Sequence, residues 1–164
     1  RDAFIDPLVG IYNRSYLNRV LESWIVRGFY FSGAMIDIDY FKSINDSFGH
    51  SEGDHALQIV TDFLTRSRTE NEWIFRFAGD EFIVLKLAST KSALANANAG
   101  LSSFMDRVSH ELAVFNEADH PYQLSLSYGI SNFNGGDIDS FMKDMDHEMY
   151  QMKALHHSTR HLQR

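Results

Sequence analysis

Trp73-Ile74-Phe75-Arg76-Phe77-Ala78-Gly79-Asp80-Glu81-Phe82-Ile83-Val84-Leu85-Lys86-Leu87 decides the fold. Trp73–Phe77 and Phe82–Leu87 are rich in the aromatic and β-branched residues that suit a pleated surface, and Ala78–Glu81 between them is short and contains glycine. The pattern predicts a hairpin with two acids, Asp80 and Glu81, at its tip. Upstream, the apolar run Phe29–Ile38 predicts a buried strand that runs out at Asp37-Ile38-Asp39. If run and hairpin are neighbours in one sheet, Asp37 and Asp80 converge. With the Ile38 carbonyl as a third oxygen they form a hard-ligand site of the kind that holds Mg²⁺ against phosphates. The competing reading is a pair of turn-capping aspartates.

Outward from this centre, Asp6–Arg14 reads as a turn leading into a helix with Asn13 as its N-cap. Tyr16, Leu17, Val20, Leu21, Trp24 and Ile25 follow helical spacing, and the helix should stop near Gly28. Phe41–Gly53 reads as a polar connection, followed by a helix over about His55–Thr65. Lys91–Phe115 is helical by pattern, Tyr122–Phe133 alternates as a strand, and Asp139–Leu155 closes the chain as a helix. This order implies one α+β domain over residues 1–164, with a central, mostly antiparallel sheet of about four strands and flanking helices. Gly135-Gly136-Asp137 reads as a glycine turn with an aspartate cap.

The chain has 164 residues, 44% hydrophobic and 23% charged, which is enough for one globular core. No stretch is long and apolar enough for a membrane span, so no membrane contact is expected from this domain. The absence of cysteine excludes a disulfide framework and is compatible with the cytoplasm. A formal charge of −7 argues against a nucleic-acid partner but leaves a metal-screened nucleotide open. The chain starts at Arg1 without an initiator methionine, so it is expected to be cut from a longer, multidomain regulatory protein, a reading compatible with a membrane-anchored parent. Of its eight histidines, His156, His157 and His161 cluster near the C-terminus and read as a solvated helix end.

Taken together, Asp37-Ile38-Asp39-Tyr40-Phe41-Lys42-Ser43-Ile44-Asn45-Asp46, the following Gly49-His50-Ser51-Glu52-Gly53-Asp54, and Arg76-Phe77-Ala78-Gly79-Asp80-Glu81-Phe82 resemble the GGDEF family of diguanylate cyclases. Asp6–Arg14 resembles the family's opening segment, and Asp146, Tyr150 and Lys153 its closing helix. The resemblance implies a nucleotidyl-cyclase-like fold with a ferredoxin-like core. It implies joining of two GTP into cyclic di-GMP with Mg²⁺ or Mn²⁺, across a homodimer governed by an N-terminal sensory or regulatory region. It implies Asp37, Ile38 and Asp80 as metal ligands, with Glu81 assisting deprotonation of the 3′-hydroxyl or metal binding. Asn45 and Asp54 correspond to the guanine-reading positions. The amides of Phe41 and Lys42, the Gly79 backbone and the Lys153 side chain correspond to the phosphate-binding ones. Asp39 and Asp46 are equally readable as caps.

The chain departs from the family pattern at three places. Ala78 replaces the first signature glycine, at a cost of roughly 1–2 kcal/mol if that position is left-handed. His157 stands where the family has a phosphate-clamping arginine, for which Arg160 is a candidate substitute. Thr69-Glu70-Asn71-Glu72 replaces the product-inhibition motif Arg-x-x-Asp, and its two acids should repel a bis-phosphate ligand. The alternative to a cyclase is a degenerate GTP-binding regulatory module.

Overall fold

Phe31 to Ile38 are buried without interruption because helices cover both faces of the strand they form. The computed structural model describes residues 2–69 and 71–162, with side chains as far as Thr159. Its elements are α1 (Arg14–Val26), β1 (Tyr30–Ile38), α2 (Phe41–Phe48), α3 (His50–Ser67), β2 (Glu72–Ala78), β3 (Glu81–Ala88), a short 3₁₀ turn, α4 (Leu94–Glu117), β4 (Leu126–Phe133) and α5 (Ile138–Leu162). The sheet order is β2-β3-β1-β4 and every neighbouring pair is antiparallel. This is the expected α+β architecture.

On β1, Ala34, Ile36 and Ile38 pack beneath α3 and α4, while Phe31 and Met35 face α1 and α5. Asp37 shares the parity of the second set, so it points toward the α5 side. Asn13 caps α1 as expected, its side-chain oxygen accepting from the Tyr16 amide at 3.0 Å. Asp137 caps α5, accepting from the Asp139 amide at 3.1 Å.

Three boundaries differ from expectation. Phe41–Gly53 is helix, broken only at Gly49 (φ +91°), which ends α2 and lets α3 begin at His50 rather than near His55. With Ile44 as its one buried residue, α2 leaves no apolar period in the sequence. Strand β4 starts at Leu126 rather than Tyr122. The Asn116 side chain pairs with both backbone groups of Leu124 (2.8 and 2.9 Å), and the Tyr122 hydroxyl donates to Glu52 at 2.9 Å. Helix α5 runs on past Leu155 to Leu162.

The backbone of α5 lies directly on β4 at Gly129, where a Cβ would overlap the Met145 carbonyl oxygen and the Met149 amide nitrogen. Neither obstacle is a side chain that could turn away. Gly129→Ala is therefore expected to cost about 3 kcal/mol, read as a lower urea midpoint at unchanged slope.

Candidate active site

The register pairs Asp37 with Glu81 across β1 and β3, and the Ile38 amide donates to the Asp80 carbonyl at 3.3 Å. The end of β1 and the tip of the β2–β3 hairpin are thus one structural unit. Asp37 is 4% exposed. Burial pushes the Asp80 carboxyl up to about 7, aided by a hydrogen-bond contact with Asp37 and by its charge. Glu81 is likewise raised, by burial first and then by the charges of Asp37 and Asp146. Burial disfavours the Lys153 ammonium, but its contact with Asp37 and the charges of Asp37 and Asp80 outweigh that and raise it. Lys153 Nζ, from α5, rests on Asp37 Oδ2. The other oxygen, Asp37 Oδ1, is buried with no hydrogen-bond partner. Asp37, Asp80, Glu81 and Lys153 are thus brought together.

Phe41 and Lys42 open α2 immediately downstream. Tyr40 precedes them in the left-handed region (φ 59°, ψ 29°), and no side chain caps the helix. Its first amides point outward at the carboxylate end of the molecule. The Lys42 ammonium bonds Asp46 at 2.7 Å on the exposed surface of α2, so only its backbone belongs to this end of the helix. Asn45 meets Gly53 at the α2–α3 elbow, where a Cβ on Gly53 would overlap the Asn45 side-chain oxygen. Asp54, next in sequence, lies exposed within α3 and caps nothing, because the helix already begins at His50. Asn45 thus lies about 6 Å along α2 from Phe41, and meets the residue that precedes Asp54.

Gly79 is exposed, with open space where a side chain would stand. Arg76 braces the hairpin, donating to the Gly79 carbonyl at 2.9 and 3.2 Å and to both Asp6 oxygens at 3.2 and 3.3 Å. Among described non-glycine residues only Tyr40 and Asn71 have positive φ. Ala78 is not in the left-handed region, so the expected backbone penalty does not arise.

Two expectations are corrected here. His156 is half-buried rather than solvated, whereas His157 is exposed, as expected of a helix end. His156 Nδ1 lies 2.8 Å from Asp39 Oδ2, and the His157 ring meets the Tyr40 ring at a tilt of 35° with centroids 4.4 Å apart; the His161 and Arg160 side chains lie outside the described residues. Nor does Glu72 present a repelling charge. Its side chain is 1% exposed, pairs with Lys86 at 3.2 Å and accepts from the Thr69 amide and hydroxyl, both at 3.0 Å. Glu70 lies outside the described residues. A groove of about 610 Å³ between the end of α3 and α4, lined by Arg66, Arg68, Arg107 and His110, sits at the opposite end of the sheet from the carboxylates.

Residues 3–159 match the family described as "Diguanylate cyclase, GGDEF domain". The chain belongs to the GGDEF family. It is 32% identical over 158 residues to the diguanylate cyclase DgcP of Pseudomonas aeruginosa, covering 92% of this chain and 22% of that protein's length. Over 84 residues it is 42% identical to the cyclic di-GMP phosphodiesterase NbdA of the same species, covering 49% of this chain and 11% of that one. The coiled coil and GGDEF domain of DgcB from Caulobacter crescentus, solved in complex with c-di-GMP, shares its fold with a TM-score of 0.80 at 21% identity, covering 93% of this chain and 82% of that one.

In this GGDEF domain no sequence signal marks the Asp39–His156 contact, since nothing local links residues 117 positions apart. The Arg76–Asp6 brace was equally hidden. Asp39 had a simpler reading as a cap, and His156 as part of a solvated helix end.

The raised Asp80 carboxyl has a consequence for stability. Its proton is held more tightly in the folded chain than at the ordinary value of 3.8, so its stabilising contribution is complete at low pH and is lost as pH rises through about 7. Without divalent cations, the unfolding midpoint of Asp80→Asn should therefore lose less between pH 4 and pH 8 than that of the parent chain. Parallel curves would show that Asp80 is not the group responsible.

Proposed function

We propose that this domain is a diguanylate cyclase, condensing two GTP into cyclic di-GMP and two pyrophosphates. In each condensation a 3′-oxygen bonds to an α-phosphorus, the bond from that phosphorus to the pyrophosphate oxygen breaks, and the hydroxyl gives up its proton. The observation that supports this most is the convergence of Asp37 and Asp80 beside the uncapped start of α2.

The donor set fits Mg²⁺ or Mn²⁺. Asp37 Oδ1 is a buried acceptor with no hydrogen-bond partner, and Asp80 contributes a second carboxylate. Among the described residues no three acids or histidines form a complete cage. That suits an ion held by one or two carboxylates plus substrate phosphates. When bound, the ion neutralises phosphate charge and orients the triphosphate. Asp37, the Ile38 carbonyl and Asp80 would hold it.

The chain's own groups would do the rest largely by positioning, which suits phosphoryl transfer. The Phe41 and Lys42 amides and the bare Gly79 backbone would receive the phosphates, with Lys153 supplying a point charge. Asp54 would accept from the guanine N1–H and amine, and Asn45 would serve the acceptor edge. Glu81, its carboxyl raised by burial, would either take the 3′-hydroxyl proton or add a metal ligand. One domain carries one such set, so catalysis would require a homodimer with facing sites. The domain would work in the cytoplasm, within a longer protein whose N-terminal region controls pairing, and without nucleic acid. No described helix is long and apolar enough to cross a membrane.

A second reading, a GTP-binding regulatory module without turnover, is favoured by one observation. His157, in tilted contact with the Tyr40 ring, stands where the family pattern has an arginine. Incubating the dimeric full-length protein with GTP and Mg²⁺ or Mn²⁺ separates the two. Cyclic di-GMP detected by mass, falling to background in Asp80→Ala, is the expected result. Tight GTP binding without product would favour the module, and product unaffected by Asp80→Ala would defeat the site assignment.

A further inference from the structure

Helix α5 carries Lys153, His156 and His157 on one face, at i, i+3 and i+4. They meet Asp37, Asp39 and Tyr40 in turn, so one helix face reads the whole exit of β1. The middle contact has no part in the reading above. The Asp39 side chain is 0% exposed. Its Oδ1 accepts from Ser127 Oγ at 2.6 Å, and its Oδ2 from Ser125 Oγ at 2.7 Å and from His156 Nδ1 at 2.8 Å. Its amide donates to the Ser125 carbonyl at 2.9 Å. Strand β4 thus grips Asp39 from one side and α5 from the other.

The peptides flanking Asp39 are the ones a nucleotide site would use. Before it stands the Ile38 carbonyl, and after it the left-handed Tyr40 sets the direction of the first α2 amides. We propose that His156 is a positioning residue of the metal–nucleotide site. Through Asp39 it fixes the Ile38 carbonyl and the α2 amides relative to the helix that carries Lys153. The inference rests on the nucleotide reading of this site. The serines alone can anchor Asp39 to β4. What His156 adds is the link to α5, and a buried carboxylate deprived of one donor turns toward others, taking its backbone with it. Such supporting hydrogen bonds around metal ligands are worth on the order of 10–100-fold in affinity.

The test measures calorimetric binding of Mn²⁺ with a non-hydrolysable GTP analogue, at a temperature where circular dichroism shows every variant folded. His156→Ala is expected to bind on the order of 10–100-fold more weakly. His156→Asn, whose amide nitrogen can stand near Nδ1, should recover most of the loss. Leu94→Ala, weakened in the small cluster at the far end of the sheet, should bind as the parent does. Parental affinity in His156→Ala, or an equal loss in Leu94→Ala, would overturn the positioning role. Asp80→Ala reports on the underlying reading separately: if it binds as the parent does, the site assignment itself fails, whatever His156 shows.

Discussion

A carboxylate buried at the end of an apolar strand needs charge compensation that the strand cannot provide, and Asp37 is that carboxylate. Its partners across the sheet are Glu81, another acid, and Ser127. Asp80 adds a further carboxylate from the hairpin tip, which is why burial and Asp37 together raise its carboxyl to about 7. The compensation comes from α5, whose Lys153 reaches Asp37 Oδ2 and leaves Oδ1 unpartnered. Everything else in the candidate site is arranged around this concentration of acid at one end of a sheet packed on both faces.

That arrangement depends on the height of α5 over β4. The backbones approach at Gly129, one helical turn before Lys153, so the residue with no side chain sets how far the lysine and the two histidines can reach. The same economy operates at the α2–α3 elbow, where Gly53 leaves room for the Asn45 side chain. In both places glycine serves close approach rather than a turn.

The departures from the family signature also change meaning in three dimensions. Ala78 closes β2 outside the left-handed region, so its methyl carries no backbone strain. Glu72, an acid in place of the family's aspartate, is sealed inside against Lys86 and Thr69 and serves to tie the start of β2 to β3. His157 keeps an aromatic contact with Tyr40, the residue that precedes α2, without the fork of donors an arginine would bring.

Hairpin, buried strand, long helices and the placing of Asp37, Asp80 and Glu81 at element ends were all legible in the sequence, because periodicity and turn composition are local properties of the chain. The short helix α2 was not, since eight residues with one buried side chain carry no period to read. Nor were Lys153 on Asp37 or His156 on Asp39, pairs 116 and 117 residues apart. Their identity as partners depends on sheet register and on how closely one helix backbone lies against one strand. The sequence therefore determined which acids would stand at the ends of which elements. Only tertiary packing decided which cations answer them, because burial, not residue type, makes a charge need a partner.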